Sequence, residues 1–270
     1  MQTPIIIVGA AGRMGSTVTR LARENAALLL VGRVEQTARM GDLAPVENCI
    51  DAENLESVLS ACPQAGRKVI IDFTTPSYSL AVAQTAVKYG VAQVVGTTGL
   101  TEKEQSELKS CAAKTPIFRS PNMSVGVNVL LAILPELVRL LGDGYDMEML
   151  EIHHNKKKDA PSGTAWRLVE AMADARGWAS RDVSVCNREG LTGERPRKEI
   201  GVQSLRGGDV VGIHTAYFLG AGERIEITHQ AHSRDNFAQG ALRAAEWLVK
   251  QKPGKLYTME DMLKHKGELQ

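Results

Sequence analysis

The chain has few cysteines, and none of them are paired in a way that binds metal or cross-links. Cys49, Cys62, Cys111 and Cys186 are scattered over 270 residues with no Cys-x-x-Cys spacing. That suits free thiols in a reducing cytoplasm and argues against a disulfide framework or a thiolate zinc site. Net charge is nearly absent as well. A formal balance of +1 argues against a general nucleic-acid binder or a polybasic membrane protein. No apolar run is expected to be long enough to cross a bilayer. The apolar start, Met1-Gln-Thr-Pro-Ile-Ile-Ile-Val8, lacks the basic flank of a signal peptide and is expected to be a first strand. Repeats, low-complexity tracts and long linkers are also missing. These exclusions leave a cytoplasmic globular chain, 43% hydrophobic and 23% charged, of one large domain or two ordinary ones.

What is present begins with Ile5-Ile-Ile-Val8, a β-branched run of the kind buried on both faces of a parallel sheet. Gly9-Ala-Ala-Gly12-Arg-Met-Gly15 follows directly, and the next residues predict a helix over 16–25. Strand, glycine turn and helix form the setting of a dinucleotide fingerprint. Gly9 permits the tight turn, a small residue at 11 or 12 lets the backbone approach a pyrophosphate, and Gly15 lets the helix pack on the strand. The spacing is G-x-x-G-x-x-G, with Ala11 in the second glycine slot of the usual G-x-G-x-x-G. A second strand is expected over 28–34. It is closed by Glu35, at the distance where an acidic residue takes the ribose hydroxyls. Such a carboxylate favours NAD, while Arg33 or Arg39 nearby could still receive the phosphate of NADP. Strands are expected over 69–74, 91–95 and 116–119, with helices over 79–89 and 101–113 between them. Each strand ends in small polar residues, as in Asp72-Phe-Thr74, Gly96-Thr-Thr-Gly99 and Ser120-Pro-Asn-Met123. In an open parallel sheet such ends line the ligand crevice, so Gly96, Thr97 and Thr98 are candidates to lie along the nicotinamide half.

A long apolar helix over 124–142, kinked at Pro135, comes next. The pattern then turns to strands over 146–154, 198–205, 210–219 and 224–228, with a helix over 165–176 and a closing amphipathic helix over 236–250. The expected fold is α/β: a Rossmann-type doubly wound parallel sheet, followed by a smaller α+β domain. The strand over 146–154 delivers Glu151-Ile-His-His-Asn-Lys-Lys-Lys-Asp-Ala-Pro-Ser-Gly-Thr164. Two histidines and three lysines within six positions do not suit a buried core. Imidazoles move protons near neutrality, and ammoniums hold carboxylates or phosphates. The Ser162-Gly-Thr164 turn can open a helix whose free N–H groups point at the same anion. Adjacent histidines on a strand point to opposite faces and no further Cys or His is suitably spaced, so no metal site is expected.

These residues resemble the dihydrodipicolinate reductase family, also called 4-hydroxy-tetrahydrodipicolinate reductases, over nearly the whole chain. The likeness rests on Val8-Gly-Ala-Ala-Gly-Arg-Met-Gly15, Asp72-Phe-Thr74, Gly96-Thr-Thr-Gly99, Asn122-Met-Ser-Val-Gly-Val127 and Arg206-Gly-Gly-Asp-Val-Val-Gly-Ile-His214. Above all it rests on the run 151–164, which is similar to the family's E-x-H-H-x-x-K-x-D-A-P-S-G-T signature. The resemblance implies reduction of a cyclic imine dicarboxylate by NADH or NADPH, in the diaminopimelate route to lysine. It implies a cofactor site at Gly9, Ala10, Ala11, Gly12, Arg13, Met14, Glu35, Gly96, Thr97, Thr98, Ser120, Pro121, Asn122, Met123 and Arg206. His153 and Lys157 would transfer protons, and His154, Ser162, Gly163 and Thr164 would bind substrate. It also implies a second domain on a mixed sheet that builds a homotetramer, and a last helix returning to the first domain. Residues 1–123 with 235–270 would then bind dinucleotide, and 124–234 would bind substrate and assemble. Gln36 stands where some members carry an arginine for the NADP phosphate, so NADH should serve at least as well as NADPH. Met123 replaces a common phenylalanine and can pack in its place. Lys156 and Lys158 read as solvated neighbours of Lys157, and the crowded cations should lower the histidine and lysine pKa values. The rivals are a dehydrogenase of similar layout acting on another substrate, and a non-catalytic NAD-binding regulator. The His-His…Lys…Ser-Gly-Thr run argues against both.

Overall fold

The computed structural model describes residues 2–62 and 67–264. The chain divides into two compact units, Met1–Val125 with Arg234–Gln270, and Gly126–Ser233. In the first unit the chain alternates β1 (Thr3–Val8), α1 (Arg13–Glu24), β2 (Leu28–Val34), β3 (Ile50–Ala52), α2 (Leu55–Ala61), β4 (Val69–Asp72), α3 (Pro76–Tyr89), β5 (Ala92–Val95), α4 (Glu102–Ala112) and β6 (Ile117–Arg119). The second unit holds most of α5 (Val125–Leu141), then β7 (Asp146–His153), α6 (Gly163–Ala175), α7 (Ser180–Val183), β8 (Ser184–Val185), β9 (Ile200–Arg206), β10 (Gly212–Gly220) and β11 (Glu223–Ala231). The chain then returns to the first unit with α8 (Asp235–Leu248), β12 (Leu256–Tyr257) and α9 (Met259–Lys264).

The first unit's sheet has the order β12-β6-β5-β4-β1-β2-β3, and every pairing is parallel. Ile5, Ile6, Ile7 and Val8 are fully buried because helices cover both faces of β1. The chain moves outward from β1 through β2 to β3, then crosses back through α2 to place β4 on the other side of β1. The carboxyl ends of β1 and β4 therefore flank the point where a doubly wound sheet takes its ligand. Helix α1 begins at Arg13, three residues before the expected start. Gly12 is the N-cap, and its carbonyl accepts from Ser16 N–H at 2.9 Å. Arg13, Met14 and Gly15 are thus already helical. The pairs β3–α2 and β12–α9 were not foreseen. With three and two residues, β3 and β12 are too short for alternation to register in sequence.

The second unit's sheet has the order β11-β10-β7-β9-β8. Strand β10 is antiparallel to β11 and β7, while β7, β9 and β8 are mutually parallel, so the sheet is mixed. Helix α5 continues through Pro135 as one helix. The expectation that no apolar run could span a bilayer needs correction, because Val125–Gly144 is long and apolar enough by length and composition. Packing accounts for part of that apolarity: Leu130, Leu134 and Val138 join Met147, Met149 and the inner residues of α6 in one core. Along β7 every second residue is buried: Met147, Met149, Glu151 and His153. The period of a strand thus sets a carboxylate and an imidazole side by side on the packed face.

Candidate active site

In the first unit, Gly9 turns the chain at the end of β1 with φ +78°. A Cβ there would stand 2.7 Å from the Phe73 carbonyl oxygen, and one at Gly15 would stand 2.1 Å from that of Gly9. Gly9 must be glycine for the chain to turn against the end of β4, and Gly15 for α1 to close on the turn after β1. Glu35, buried at the end of β2, accepts from Ala11 N–H at 2.8 Å and Gln36 N–H at 2.9 Å. It therefore holds the glycine loop, and each carboxylate oxygen keeps capacity for another donor. Arg39 donates to the Ala11 carbonyl at 2.6 Å. Glu35, Gln36, Arg39, Glu53 and Tyr78 line one hollow with Gly9 and Gly12. Arg13, Met14, Gly96, Thr97, Thr98, Pro121, Asn122 and Met123 line another, with Phe237 of α8. Gly12, Phe73 and Thr74 belong to both, so the two hollows form one continuous trough.

Beneath this trough lies a polar knot. Asp72 is fully buried and accepts from Thr74 Oγ1 at 2.6 Å and Gln93 Nε2 at 3.1 Å. Burial pushes its pKa up, against those hydrogen bonds. Thr97 Oγ1 accepts from Thr74 N–H at 2.9 Å and from Ser79 Oγ at 2.8 Å. The Thr97 hydroxyl thus ties two strand ends together.

In the second unit, fully buried Glu151 is the hub. Its carboxylate accepts from Arg206 Nη1 at 2.8 Å and Nη2 at 2.7 Å, and from Ser162 N–H at 3.1 Å. His153 Nδ1 lies 2.5 Å from Glu151 Oε2. Burial alone would raise the Glu151 pKa, but the bonds from Arg206 and His153 outweigh it and bring it to about 2. His153 is shifted below the usual imidazole value, first by burial and further by Lys157 and Arg206, against the pull of Glu151. Lys157 Nζ donates to Asp159 Oδ1 at 2.9 Å, and the side chain is less exposed than Lys156 or Lys158. His214, on β10 directly opposite Glu151 of β7, has Nε2 at 3.1 Å from Ser162 Oγ. Burial, then the nearby His153, brings its pKa down to about 3. Ser162 caps α6 by accepting from Ala165 N–H at 3.1 Å, which leaves the first N–H groups of the helix beside exposed Gly163.

Family models for the two halves of one enzyme match almost all of this chain: dihydrodipicolinate reductase N-terminus over residues 3–123, and C-terminus over 126–263. The chain belongs to the dihydrodipicolinate reductase family. It is 58% identical over 262 residues to the 4-hydroxy-tetrahydrodipicolinate reductase of Nitratidesulfovibrio vulgaris, covering 97% of this chain and 100% of that one. Identity to the enzyme of that name from Lawsonia intracellularis is 51% over 263 residues, with coverage of 97% and 100%. A solved dipicolinate-bound dihydrodipicolinate reductase from Paenisporosarcina sp. TG-14 superposes with TM-score 0.76 over 96% of this chain and 98% of that one. At 22% identity, that likeness speaks for the fold alone.

Seen against this family, the expected residues sort unevenly. Gly9, Gly12, Arg13, Met14, Glu35 and the strand-end residues other than Ser120 line the trough, Ala11 is held beside it through its N–H to Glu35, and Ala10 is instead buried in the core. Ser120 is buried and donates to the Asn122 carbonyl at 2.6 Å, shaping the loop from beneath. Arg33 is unsuited to a cofactor phosphate, because it is 2% exposed and bound to Asp51 at 2.7 and 2.6 Å. Ser162 is buried, with its hydroxyl shared between Ala165 and His214 and its N–H given to Glu151. Arg206, expected among cofactor contacts, clamps Glu151 and the Asp159 carbonyl within the second unit. The cations are also less crowded than the sequence implies, since Arg206 and Lys157 each have a carboxylate. Glu151 and His214 lie within the sequence motifs, where residue type alone marks no role for either. The two-residue spacing of Glu151 and His153 on a strand was the available signal, whereas the approach of His214 depends on strand pairing. Among the described residues no cluster of His, Cys, Asp or Glu is disposed to hold a metal.

Proposed function

We propose that the protein reduces 4-hydroxy-tetrahydrodipicolinate to tetrahydrodipicolinate, with the first unit binding a nicotinamide dinucleotide and the second holding substrate. One observation carries the reading: a buried carboxylate aligns His153 beside Lys157 and the N-terminus of α6. That arrangement joins a proton carrier to an anion site. The first unit's residues fit a dinucleotide, because only glycine is tolerated at Gly9 and Gly15, and a carboxylate stands at the end of β2.

Loss of the 4-hydroxyl as water leaves a conjugated cyclic imine, and a reduced nicotinamide held in the first unit would supply the hydride to its ring C4. Lys157, His154, Thr164 and the N–H groups at Gly163 hold a substrate carboxylate, as ammonium and helix-start donors do. Hydride addition leaves an enamine anion that must be protonated at carbon. His153 and Lys157 supply that proton, and the negative charge of the bound substrate raises their affinity for it. Glu35 receives ribose hydroxyls in this reading, and Gln36 offers no charge to a 2′-phosphate. NADH is therefore used at least as well as NADPH, and Gln36→Arg shifts kcat/KM toward NADPH by about tenfold. A strong wild-type preference for NADPH contradicts this. Exposed Leu205 and Leu219 on the second unit's sheet suit assembly of a homotetramer there; sedimentation measures it.

The deciding assay supplies the condensation product of pyruvate and aspartate semialdehyde and follows NADH absorbance. Oxidation that depends on both reagents supports the reading. NADH consumed only with other carbonyl substrates overturns it.

A further inference from the structure

We propose that Glu151, clamped by Arg206, is the positioning residue that fixes the His153 tautomer. It draws the ring hydrogen to Nδ1 and leaves Nε2 as the one atom through which the ring takes up and hands on a proton. The proposal rests on the reading of His153 as a proton carrier. An ionised carboxylate only accepts hydrogen bonds. Two guanidinium donors and the Ser162 N–H keep Glu151 ionised, so the hydrogen in the 2.5 Å contact must belong to His153 Nδ1. A neutral imidazole carries one hydrogen, so its Nε2 is bare. The site keeps that atom clear. Gly212 lies beside it, and a Cβ at 212 would stand 3.0 Å from Nε2.

The charged and titratable groups around the ring explain why it is oriented but not locked as a cation. Glu151 lies on its own strand, Arg206 on β9, His214 on β10 with His229 beyond it on β11, and Lys157 and Asp159 on the loop that follows. Arg206 offsets Glu151, and Asp159 offsets Lys157. The His214 ring meets His153 edge-on, with centroids 5.2 Å apart. Ser162 Oγ lies 3.1 Å from His214 Nε2, and burial keeps His214 neutral. A lone carboxylate against imidazole would hold the ring protonated, whereas a carboxylate shared with arginine sets its direction without doing so. In turnover Nε2 takes a proton from solvent water, the Nδ1–H bond to Glu151 steadies the imidazolium, and Nε2 gives that proton to the substrate carbon. The ring then returns to its starting tautomer.

The test is ¹⁵N NMR of the histidine rings in the full chain, with the His153 signals assigned by their loss in His153→Gln. Wild type at neutral pH should show Nδ1 as pyrrole-type and Nε2 as pyridine-type. In Glu151→Gln the amide must keep its oxygen toward Ser162 N–H, so its NH₂ faces Nδ1. The two signals should exchange, and kcat should fall at least about 10²-fold with KM and cofactor affinity kept. Arg206→Met should act in the opposite sense. It leaves the carboxylate unshared, so the His153 titration and the matching limb of the kcat profile move to higher pH. A purely structural role for the pair moves neither the tautomer nor the titration. A wild-type Nε2–H tautomer overturns the proposal, whether or not Glu151→Gln folds. So does an Arg206→Met ring that titrates no higher than wild type. Full turnover in His153→Gln instead sinks the proton-carrier reading, and the tautomer result stands apart from it.

Discussion

The trough of the first unit and the hub of the second are built by opposite means. The turn at the head of the trough is backbone: glycines at 9, 12 and 15, joined by Gly96 on a neighbouring strand end, stand where a Cβ would collide or crowd, with Glu35 bracing the loop. The hub is mostly side chain: Glu151, Arg206, His153, Ser162 and His214 joined by hydrogen bonds across three strands and a helix start. A backbone cradle fits the part of a cofactor that is always the same, its pyrophosphate. A network of ionisable groups fits the part that changes charge during the reaction. The first is specified by absence of side chains, the second by partners for each of them.

That contrast is sharpest at the residues meant to move protons. His153→Ala and Lys157→Ala should each lower kcat by about 10²- to 10⁴-fold while leaving NADH affinity unchanged, because the trough contains neither residue. Single-turnover rates and equilibrium NADH binding separate the two effects. A variant that keeps near-wild-type kcat has no proton role.

Acid should separate the two units next. His214 has its folded pKa depressed to about 3, and Glu151 to about 2. For both groups the unfolded chain binds protons first, so their contribution is full above the unfolded pKa and is lost as pH falls toward the folded one. His214 acts below its ordinary value near 6.5, and Glu151 joins below 4.5. The loss from His214 amounts to about 3 kcal/mol by roughly pH 4. In the first unit Asp72 has the opposite sign: its raised pKa adds stability in acid that is lost as pH rises. Trp166 and Trp178 lie in the second unit and Trp247 in the first, so Trp247→Phe isolates the second unit's fluorescence. Its urea midpoint should drop between pH 7 and pH 4, and His214→Phe should flatten that slope. A flat wild-type profile contradicts a neutral, buried His214.

Gly15→Ala should break the trough and spare the hub. The added methyl meets the Gly9 carbonyl at 2.1 Å, and backbone cannot yield as a side-chain end does. About 1–3 kcal/mol of stability is lost, and NADH binding weakens. The His153 ring signals should stay in place. Their movement would mean that the two sites are not separately built.

The same contrast explains what was legible in sequence. The parallel sheet could be read because buried strands are apolar runs, and a glycine fingerprint has fixed offsets. The mixed second sheet came from family likeness and not from any pattern in these strands, since β-pairing partners carry no local mark. Arg206 reaches Glu151 across 55 positions and His214 reaches Ser162 across 52. Register, not spacing, makes those pairs, so no local pattern marks Arg206 as the partner of Glu151 or His214 as the partner of Ser162. The Arg33 pairing is hidden for a related reason: Arg33 sits on β2, and its partner Asp51 lies on β3, whose three residues are too few for alternation to register.

The smallest effect tests the comparison within a single loop. Lys156, Lys157 and Lys158 are chemically equal in sequence, yet only the middle one is drawn in and paired with Asp159. An exposed ammonium with no fixed partner is screened and changes little when removed, by about 0.5 kcal/mol or less. Lys156→Ala and Lys158→Ala should therefore alter kcat/KM by no more than about twofold, and that change should vanish as salt is raised. A Lys156→Ala or Lys158→Ala loss that matches Lys157→Ala and persists in salt would place the proton donor elsewhere in the run. It would also show that burial at the strand end is not what selects it.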